Sequence, residues 1–271
     1  MPELPEVETT VRGLARVLKG ARIQRVEPRR PDLRFPFPPD LVQALTGARV
    51  TGLGRRAKYG LIHTDRARTL IFHLGMSGRW RIDPEALGAH DHLLLDTAAH
   101  RLSLCDPRRF GFVALADTAA LEAYPPFAAM GPEPLGENFT PAHLHAAFTG
   151  RKQAGKLLLL DQRIVAGLGN IYVCEALHQA RIDPRKAAGR ISRAALARLV
   201  PAIRSVLEAA IAEGGSSLRD YAHPDGQLGY FAHRFAVYGR EGAPCPREDG
   251  GIVSRIAQGG RGSWFCPKCQ R

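Results

Sequence analysis

A proline-rich stretch near the middle of the chain, residues 124–136, constrains the fold more than any other feature. Pro125, Pro126, Pro132 and Pro134 fall within it, and neither a helix interior nor a central strand tolerates proline at that density. The hydrophobic pattern changes across it. On the N-terminal side Val7, Val11, Leu14 and Leu18 recur at helical spacing behind Pro5, and Lys19-Gly20 supplies a basic last turn and a stop. From about residue 21 to 117 the pattern breaks into short β-branched or alternating runs: Ile23–Val26, Arg49–Leu53, Tyr59–Thr64, Leu70–His73, His92–Leu95 and Leu102–Cys105. Turn signals at Asp32, Pro36–Pro39, Gly75 and Asp106-Pro107 separate them, which predicts a β-sandwich or barrel with the first helix packed against it.

Beyond the prolines the period becomes helical. Thr140-Pro141 predicts a capped helix carrying Leu144 and Phe148, Lys156–Arg163 a second, and the glycine turn Val165–Gly169 leads into a third near Asn170. Leu196, Leu199, Ile203, Val206, Leu207, Ala210 and Ile211 mark a long amphipathic helix ended by Gly214-Gly215, with a kink or break expected at Pro201. From about 235 short strands return. The expected organisation is α+β: a β-sandwich domain over 1–123, a linker over 124–136, a helical domain over 137–234 and a hairpin element over 235–271. A chain of 271 residues suffices for two modest cores.

Charge narrows the partner. Lys and Arg total 38 against 26 Asp and Glu, a net +12 with a sequence pI near 10.0, and only six of the basic residues are Lys. Arg forks match phosphate oxygens in pairs, so a nucleic acid is the expected partner, although an Arg-biased composition alone produces the same balance. No apolar run approaches the roughly 18 residues that span a bilayer, and the acidic, proline-bearing start lacks the layout of a secretory signal. A soluble, cytoplasmic protein is expected. The five cysteines are odd in number, and three of them (Cys245, Cys266 and Cys269) crowd the C-terminal end, which suits a metal better than a disulfide framework.

The opening Met1-Pro2-Glu3-Leu4-Pro5-Glu6 carries chemistry. Loss of Met1 leaves Pro2 with a secondary amine that titrates near ~8 and attacks aldehyde-like carbon to form an iminium. Glu3 and Glu6 stand beside it as proton-transfer groups. Taken alone, acids at a helix N-terminus simply complement the dipole.

Six further blocks change that weighting. With the opening MPELPEVETTVRGL they are Gly54–Tyr59, His73–Gly78, His90-Asp-His92, Asp106–Gly111, Gly167–Tyr172 and Gln258–Gln270. In that order they resemble the formamidopyrimidine-DNA glycosylases, bacterial enzymes that excise oxidised purines. A sister group acting on oxidised pyrimidines typically opens with Gly where Leu4 stands. The resemblance implies a β-sandwich domain, a helix-two-turns-helix domain and a zinc-finger hairpin, acting as a monomer on duplex DNA in the nucleoid. It implies that Pro2 attacks C1′, that Glu3 is acid and base with Glu6 beside it, that Lys58 donates a proton in β-elimination, and that Arg261 serves δ-elimination while gripping phosphate. Met76, Arg108 and Phe110 match the family's wedge into the gap left by the extruded nucleotide. His73, His90, Arg151, Lys156 and Asn170 are expected phosphate contacts.

His90-Asp-His92 suggests a metal pair but has no third ligand nearby in sequence. The finger departs from the family's two Cys-x2-Cys pairs: the first reads Cys245-Pro-Arg-Glu248, followed by Asp249, while Cys266-Pro-Lys-Cys269 is intact. The expected zinc set is Cys245, Glu248, Cys266 and Cys269, with Asp249, a water or a metal-free finger as alternatives. Ser217–Gln227 is expected to form a loop over the flipped base. Two rival readings are the pyrimidine-directed enzyme and a non-catalytic zinc protein that binds DNA.

Overall fold

The computed structural model describes residues 2–216 and 230–271, so Met1 and the expected 217–227 loop lie outside the described residues. Two compact units are present, one made of residues up to 128 with 211–232, the other of 129–210 with 233–271.

The first unit opens with α1 (Leu4–Leu18), which follows the predicted periodicity and buries Val7, Val11, Leu14 and Leu18. Then come β1 (Arg25–Pro28), α2 (Leu41–Leu45), β2 (Val50–Arg56), β3 (Tyr59–Thr64), β4 (Arg68–His73), β5 (Arg79–Ile82), β6 (Asp91–Asp96), β7 (Arg101–Cys105), β8 (Phe112–Asp117) and the single turn α3 (Pro125–Ala128). The strands form two antiparallel sheets, ordered β1-β6-β7-β5 and β2-β3-β4-β8. The apolar stripe of α1 shares one core with Ile62, Leu70 and Phe72 of one sheet and Trp80, Leu93, Leu95, Leu102 and Leu104 of the other. Each such side chain removed from water contributes roughly 1.5–3 kcal/mol. Two strands, β5 and β8, have no counterpart among the sequence-predicted runs. In β5 only Trp80 is buried between half-exposed neighbours, which is too short a signal to read.

In the second unit α4 (Pro141–Phe148) starts at Thr140, whose Oγ1 accepts the His143 amide at 3.1 Å. The next helix, α5 (Gly155–Leu159), stops short of the predicted Arg163, because Asp161 turns the chain by accepting the Arg163 amide at 3.0 Å. α6 (Asn170–Gln179) follows the glycine turn, with Gly169 as its N-cap. α7 (Arg193–Ala212) runs unbroken through Pro201. Both Pro201 and Ala197, whose carbonyl loses its helical partner there, are exposed, so the proline falls on the solvent side of the helix.

The hairpin of β9 (Ser254–Gln258) and β10 (Arg261–Phe265) turns on Gly259 and Gly260, at φ +58° and +73°. This two-residue mirror-image turn demands positive φ at both positions. The hairpin packs on the helices of its unit: Val253 and Trp264 pack with Cys174 of α6 and with Val237 and Tyr238. Glu175 of α6 fastens the segment before it, accepting the amides of Ala236, Val237 and Tyr238 at 2.8–3.0 Å.

Candidate nucleic-acid interface and metal centre

Pro2 and Glu3 are buried at the head of α1, with Glu3 as its N-cap. The Glu6 carboxylate closes a capping box by accepting the Glu3 amide at 2.8 Å, and its other oxygen accepts both the amide and the hydroxyl of Ser216 at 2.8 and 2.9 Å. With both oxygens engaged and the residue 1 % exposed, Glu6, expected beside the catalytic pair, ties the N-terminus to Ser216.

Lys58 lies at the tip of the β2–β3 hairpin, where Arg56 pairs with Tyr59 and Ala57 takes the left-handed φ of +52°. A non-glycine residue there stores strain, a feature that concentrates at functional sites. Arg55 ties this tip to α1, bonding Glu8 of the helix at 2.9 Å and the Ala57 carbonyl at 2.9 Å. The helix that carries Pro2 and Glu3 and the hairpin that carries Lys58 are thus cross-linked by one guanidinium.

His73 closes β4, stacked on Phe112 with ring centroids 5.5 Å apart. Burial, then the charges of Lys58 and Arg34, push its pKa down to about 4. The Gly75 amide donates to Nδ1 at 3.0 Å, which leaves the proton of a neutral ring on Nε2 as a donor for an anionic oxygen.

The expected wedge residues occupy two touching loops. Gly75, at φ +61°, has no room for a Cβ, which would sit 2.3 Å from the Phe110 carbonyl carbon. Asp106, wholly buried, clips both loops: one oxygen accepts from the Ser77 hydroxyl at 2.9 Å and the other from the Gly111 amide at 2.8 Å. Met76 is half-buried, Phe110 is 46 % exposed, and the Arg108 guanidinium lies 4.9 Å from the Phe110 ring. In the sequence Asp106 is marked by a turn signal and by the Asp106–Gly111 block, neither of which gives its carboxylate a role. His90 is exposed, while His92 is buried and bonds the Asp106 carbonyl oxygen at 3.0 Å. Neither joins a cluster of three or more ligand side chains among the described residues.

In the second unit Lys156 departs from expectation. It is fully buried, and its ammonium donates to the Gly262 carbonyl at 3.0 Å and the Ser263 hydroxyl at 2.5 Å. It anchors the hairpin through β10. Asn170 bonds the same Gly262 carbonyl at 2.9 Å, while its Oδ1 is buried with no protein partner. Both hold β10 immediately beside Arg261, which is exposed, as is Arg151.

The ligand atoms of Cys245, Asp249, Cys266 and Cys269 all lie within 4.8 Å of one another. Asp249 thus stands where Glu248 was expected: Glu248 sits at φ +54° with its side chain exposed, and the reversal of the chain there turns the next carboxylate inward. Burial and the neighbouring Cys266 thiol push the Cys269 pKa up to about 12. Next to it, His178 of α6 is buried, with its pKa lowered to about 4 chiefly by burial and its Nε2 3.4 Å from the Cys245 sulfur. Nothing in the spacing of His178 marked it beforehand.

The family model of the formamidopyrimidine-DNA glycosylase N-terminal domain matches residues 1–113, and that of the H2TH domain of the same enzymes matches residues 130–222. Formamidopyrimidine-DNA glycosylases of Erythrobacter litoralis and Novosphingobium aromaticivorans are 70% and 69% identical to the chain, each alignment covering both sequences in full. The crystal structure of MutM (Fpg) from Thermus thermophilus superposes with a TM-score of 0.89 at 39% identity, covering 99% of this chain and 98% of that one. Lactococcus lactis Fpg bound to abasic-site DNA superposes at 0.92 with 35% identity over the whole of both chains. The same enzyme bound to DNA containing an oxidised pyrimidine gives 0.91 at 34%, again over both chains in full.

Proposed function

We infer the activity from one premise: this chain belongs to the formamidopyrimidine-DNA glycosylase family, and is a DNA-binding glycosylase of DNA repair. We propose that it is bifunctional, removing oxidised purines from duplex DNA and then cleaving the strand as an AP lyase. The observation that carries this reading is the buried Pro2-Glu3 pair on a helix that Arg55 cross-links to the hairpin tip bearing Lys58.

With Met1 removed, the Pro2 nitrogen attacks C1′ of the extruded nucleotide. The C1′–N bond to proline forms as the glycosidic bond breaks, and the base leaves with a proton. Ring opening gives an iminium, whose positive charge draws electrons as a C2′ proton passes to a base and the 3′ phosphate departs. Glu3 moves the protons on the opened sugar, and Lys58 supplies one during β-elimination. Arg261 grips phosphate and serves the second elimination, which expels the 5′ phosphate. Met76, Arg108 and Phe110 fill the vacated stack, while His73, His90, Arg151 and Asn170 contact the backbone.

A structural zinc ion fits the C-terminal cluster, because three thiols and a carboxylate form a closed four-donor set. It would stiffen the hairpin that carries Arg261 and take no part in the chemistry. The enzyme works as a monomer in the cytoplasm on nucleoid DNA; no helix among the described residues is long and apolar enough to cross a membrane.

A second reading, in which the same site also accepts oxidised pyrimidines, draws on the Lactococcus lactis complex with such DNA. Borohydride trapping on duplexes bearing 8-oxoguanine or an oxidised pyrimidine opposite its normal partner tests both. Covalent trapping that is faster on the purine duplex is expected. Equal or faster trapping on the pyrimidine duplex overturns the purine preference, and no trapping on either overturns the lyase mechanism.

A further inference from the structure

We propose that Asp249 is the fourth metal ligand of this chain and that His178 is a positioning residue for its Cys245 ligand, which makes the finger a three-thiolate, one-carboxylate site. The proposal rests on the reading that the cluster holds zinc.

The geometry separates the two candidate carboxylates. A tetrahedral zinc with sulfur ligands at about 2.3 Å requires neighbouring sulfurs about 3.8 Å apart and a carboxylate oxygen about 3.5 Å from each sulfur. The Cys245 and Cys269 sulfurs are 3.9 Å apart, and the Asp249 oxygens lie 3.9 and 4.0 Å from the Cys266 sulfur. Glu248 instead spends its amide on the Cys245 carbonyl at 3.1 Å, closing a tight turn that points its side chain into solvent. The left-handed backbone at Glu248 and at Gly250 lengthens the chelate loop by one residue and brings Asp249 into the donor set. The Gly251 amide then donates to Asp249 Oδ1 at 2.7 Å, fixing the carboxylate and leaving Oδ2 for the metal. Such outer hydrogen bonds orient ligands and are part of a working site.

Three thiolates and a carboxylate carry four negative charges against two on zinc, so the site needs compensation. Within reach of Asp249 stand Lys268 and His178. The His178 ring approaches the Cys245 sulfur to 3.4 Å from α6, and Arg247 is bound to the end of the same helix through the His178 and Gln179 carbonyls at 3.2 and 3.0 Å. An N–H donated to a thiolate withdraws charge from the sulfur and fixes its direction. His178 therefore ties the metal site to the helix against which β10 packs.

Replacing zinc with cobalt in the full-length protein makes the ligand set visible. The d–d bands report donor type, and the thiolate-to-cobalt charge-transfer bands report thiolate number and basicity. Wild type is expected to show three thiolates and one oxygen. E248Q should leave the spectrum and the zinc affinity, read by competition with a chromophoric chelator, unchanged. D249A should alter the d–d bands and weaken zinc at least tenfold. D249C should add charge-transfer intensity and shift the d–d bands toward a four-thiolate spectrum, a gain that no folding defect mimics. H178F should move the charge-transfer band to lower energy without changing the ligand count and weaken zinc 10–100-fold. A spectrum that responds to E248Q but not to D249A overturns the ligand assignment, and one that loses a nitrogen donor in H178F overturns the positioning role. A wild-type protein that takes up neither metal, with normal borohydride trapping, defeats the zinc reading itself and leaves the glycosylase reading standing.

Discussion

Replacing Lys156 with Met separates hairpin anchoring from phosphate contact. The substitution keeps an unbranched stem one atom shorter and removes the ammonium that bonds the Gly262 carbonyl and the Ser263 hydroxyl. Each bond from a charged donor contributes about 1.5–3 kcal/mol, but burying the ammonium has its own desolvation cost, and neither acceptor is orphaned. Asn170 still bonds Gly262, and Ser263 still donates to Gln258 at 2.8 Å. A net loss of about 2 kcal/mol in the local stability of the hairpin follows. If Arg261 depends on that order, DNA affinity should fall by roughly tenfold for each 1.4 kcal/mol lost. The decisive quantity is the dependence of affinity on salt. A residue that neutralises one phosphate changes the slope of log K against log salt by about 0.9 when it is removed. R261A should reduce the slope by about that amount. K156M should weaken binding with the slope intact. Fluorescence anisotropy titrations across several salt concentrations, with an abasic-analogue duplex, give both values. A slope for K156M reduced as much as that for R261A would refute the anchoring argument and restore Lys156 to the phosphate contacts.

Three more outcomes are expected. R108A should chiefly change the preference for the base opposite the lesion, read as single-turnover rates on duplexes with each opposite base; an unaltered preference removes Arg108 from base readout. D106A strands the Ser77 hydroxyl and Gly111 amide in the interior and should lower thermal stability by about 1–3 kcal/mol while slowing base release more than it weakens binding to an abasic analogue. For His73, the folded pKa of about 4 lies below the ordinary 6.5, so stability is fully present above 6.5 and declines as pH falls toward 4, because the unfolded chain takes up the proton first. The loss is at most about 3.4 kcal/mol, and H73N should flatten the stability profile across that window, whereas an unchanged dependence of stability on pH in urea titrations would contradict the burial-driven shift.

Features whose physics is local were legible in the sequence. The stripe of Val7, Val11, Leu14 and Leu18, the Thr140 cap and the break at the prolines all depend on neighbours a few residues away, and α1, α4 and the change of architecture follow from them. Distant partners were not legible. Lys156 stands near Arg151 and Lys152 and looks like part of a solvated basic run, yet it is buried by a hairpin more than 100 residues further on. Glu248 occupies the spacing of a ligand, but one backbone dihedral of reversed sign hands the position to Asp249. Glu6 and Ser216 meet across 210 residues, so no local pattern announces that contact. The catalytic assignments came from resemblance, since no periodicity distinguishes Lys58 from any other lysine.

The left-handed alanine at the Lys58 hairpin tip also shapes which sequences can drift there. Ala57 is wholly buried at φ +52°, so its methyl group contributes about 0.8 kcal/mol of burial while its backbone strain costs about 1–2. Glycine would relieve the strain, lose the methyl contact and enlarge the unfolded ensemble by a further 0.5–1 kcal/mol or so, a near-cancellation. Alanine and glycine are therefore interchangeable at this site on stability grounds. Valine, isoleucine and threonine are disfavoured by the same dihedral, so β-branched side chains are the ones a lineage avoids at position 57 beside the lysine.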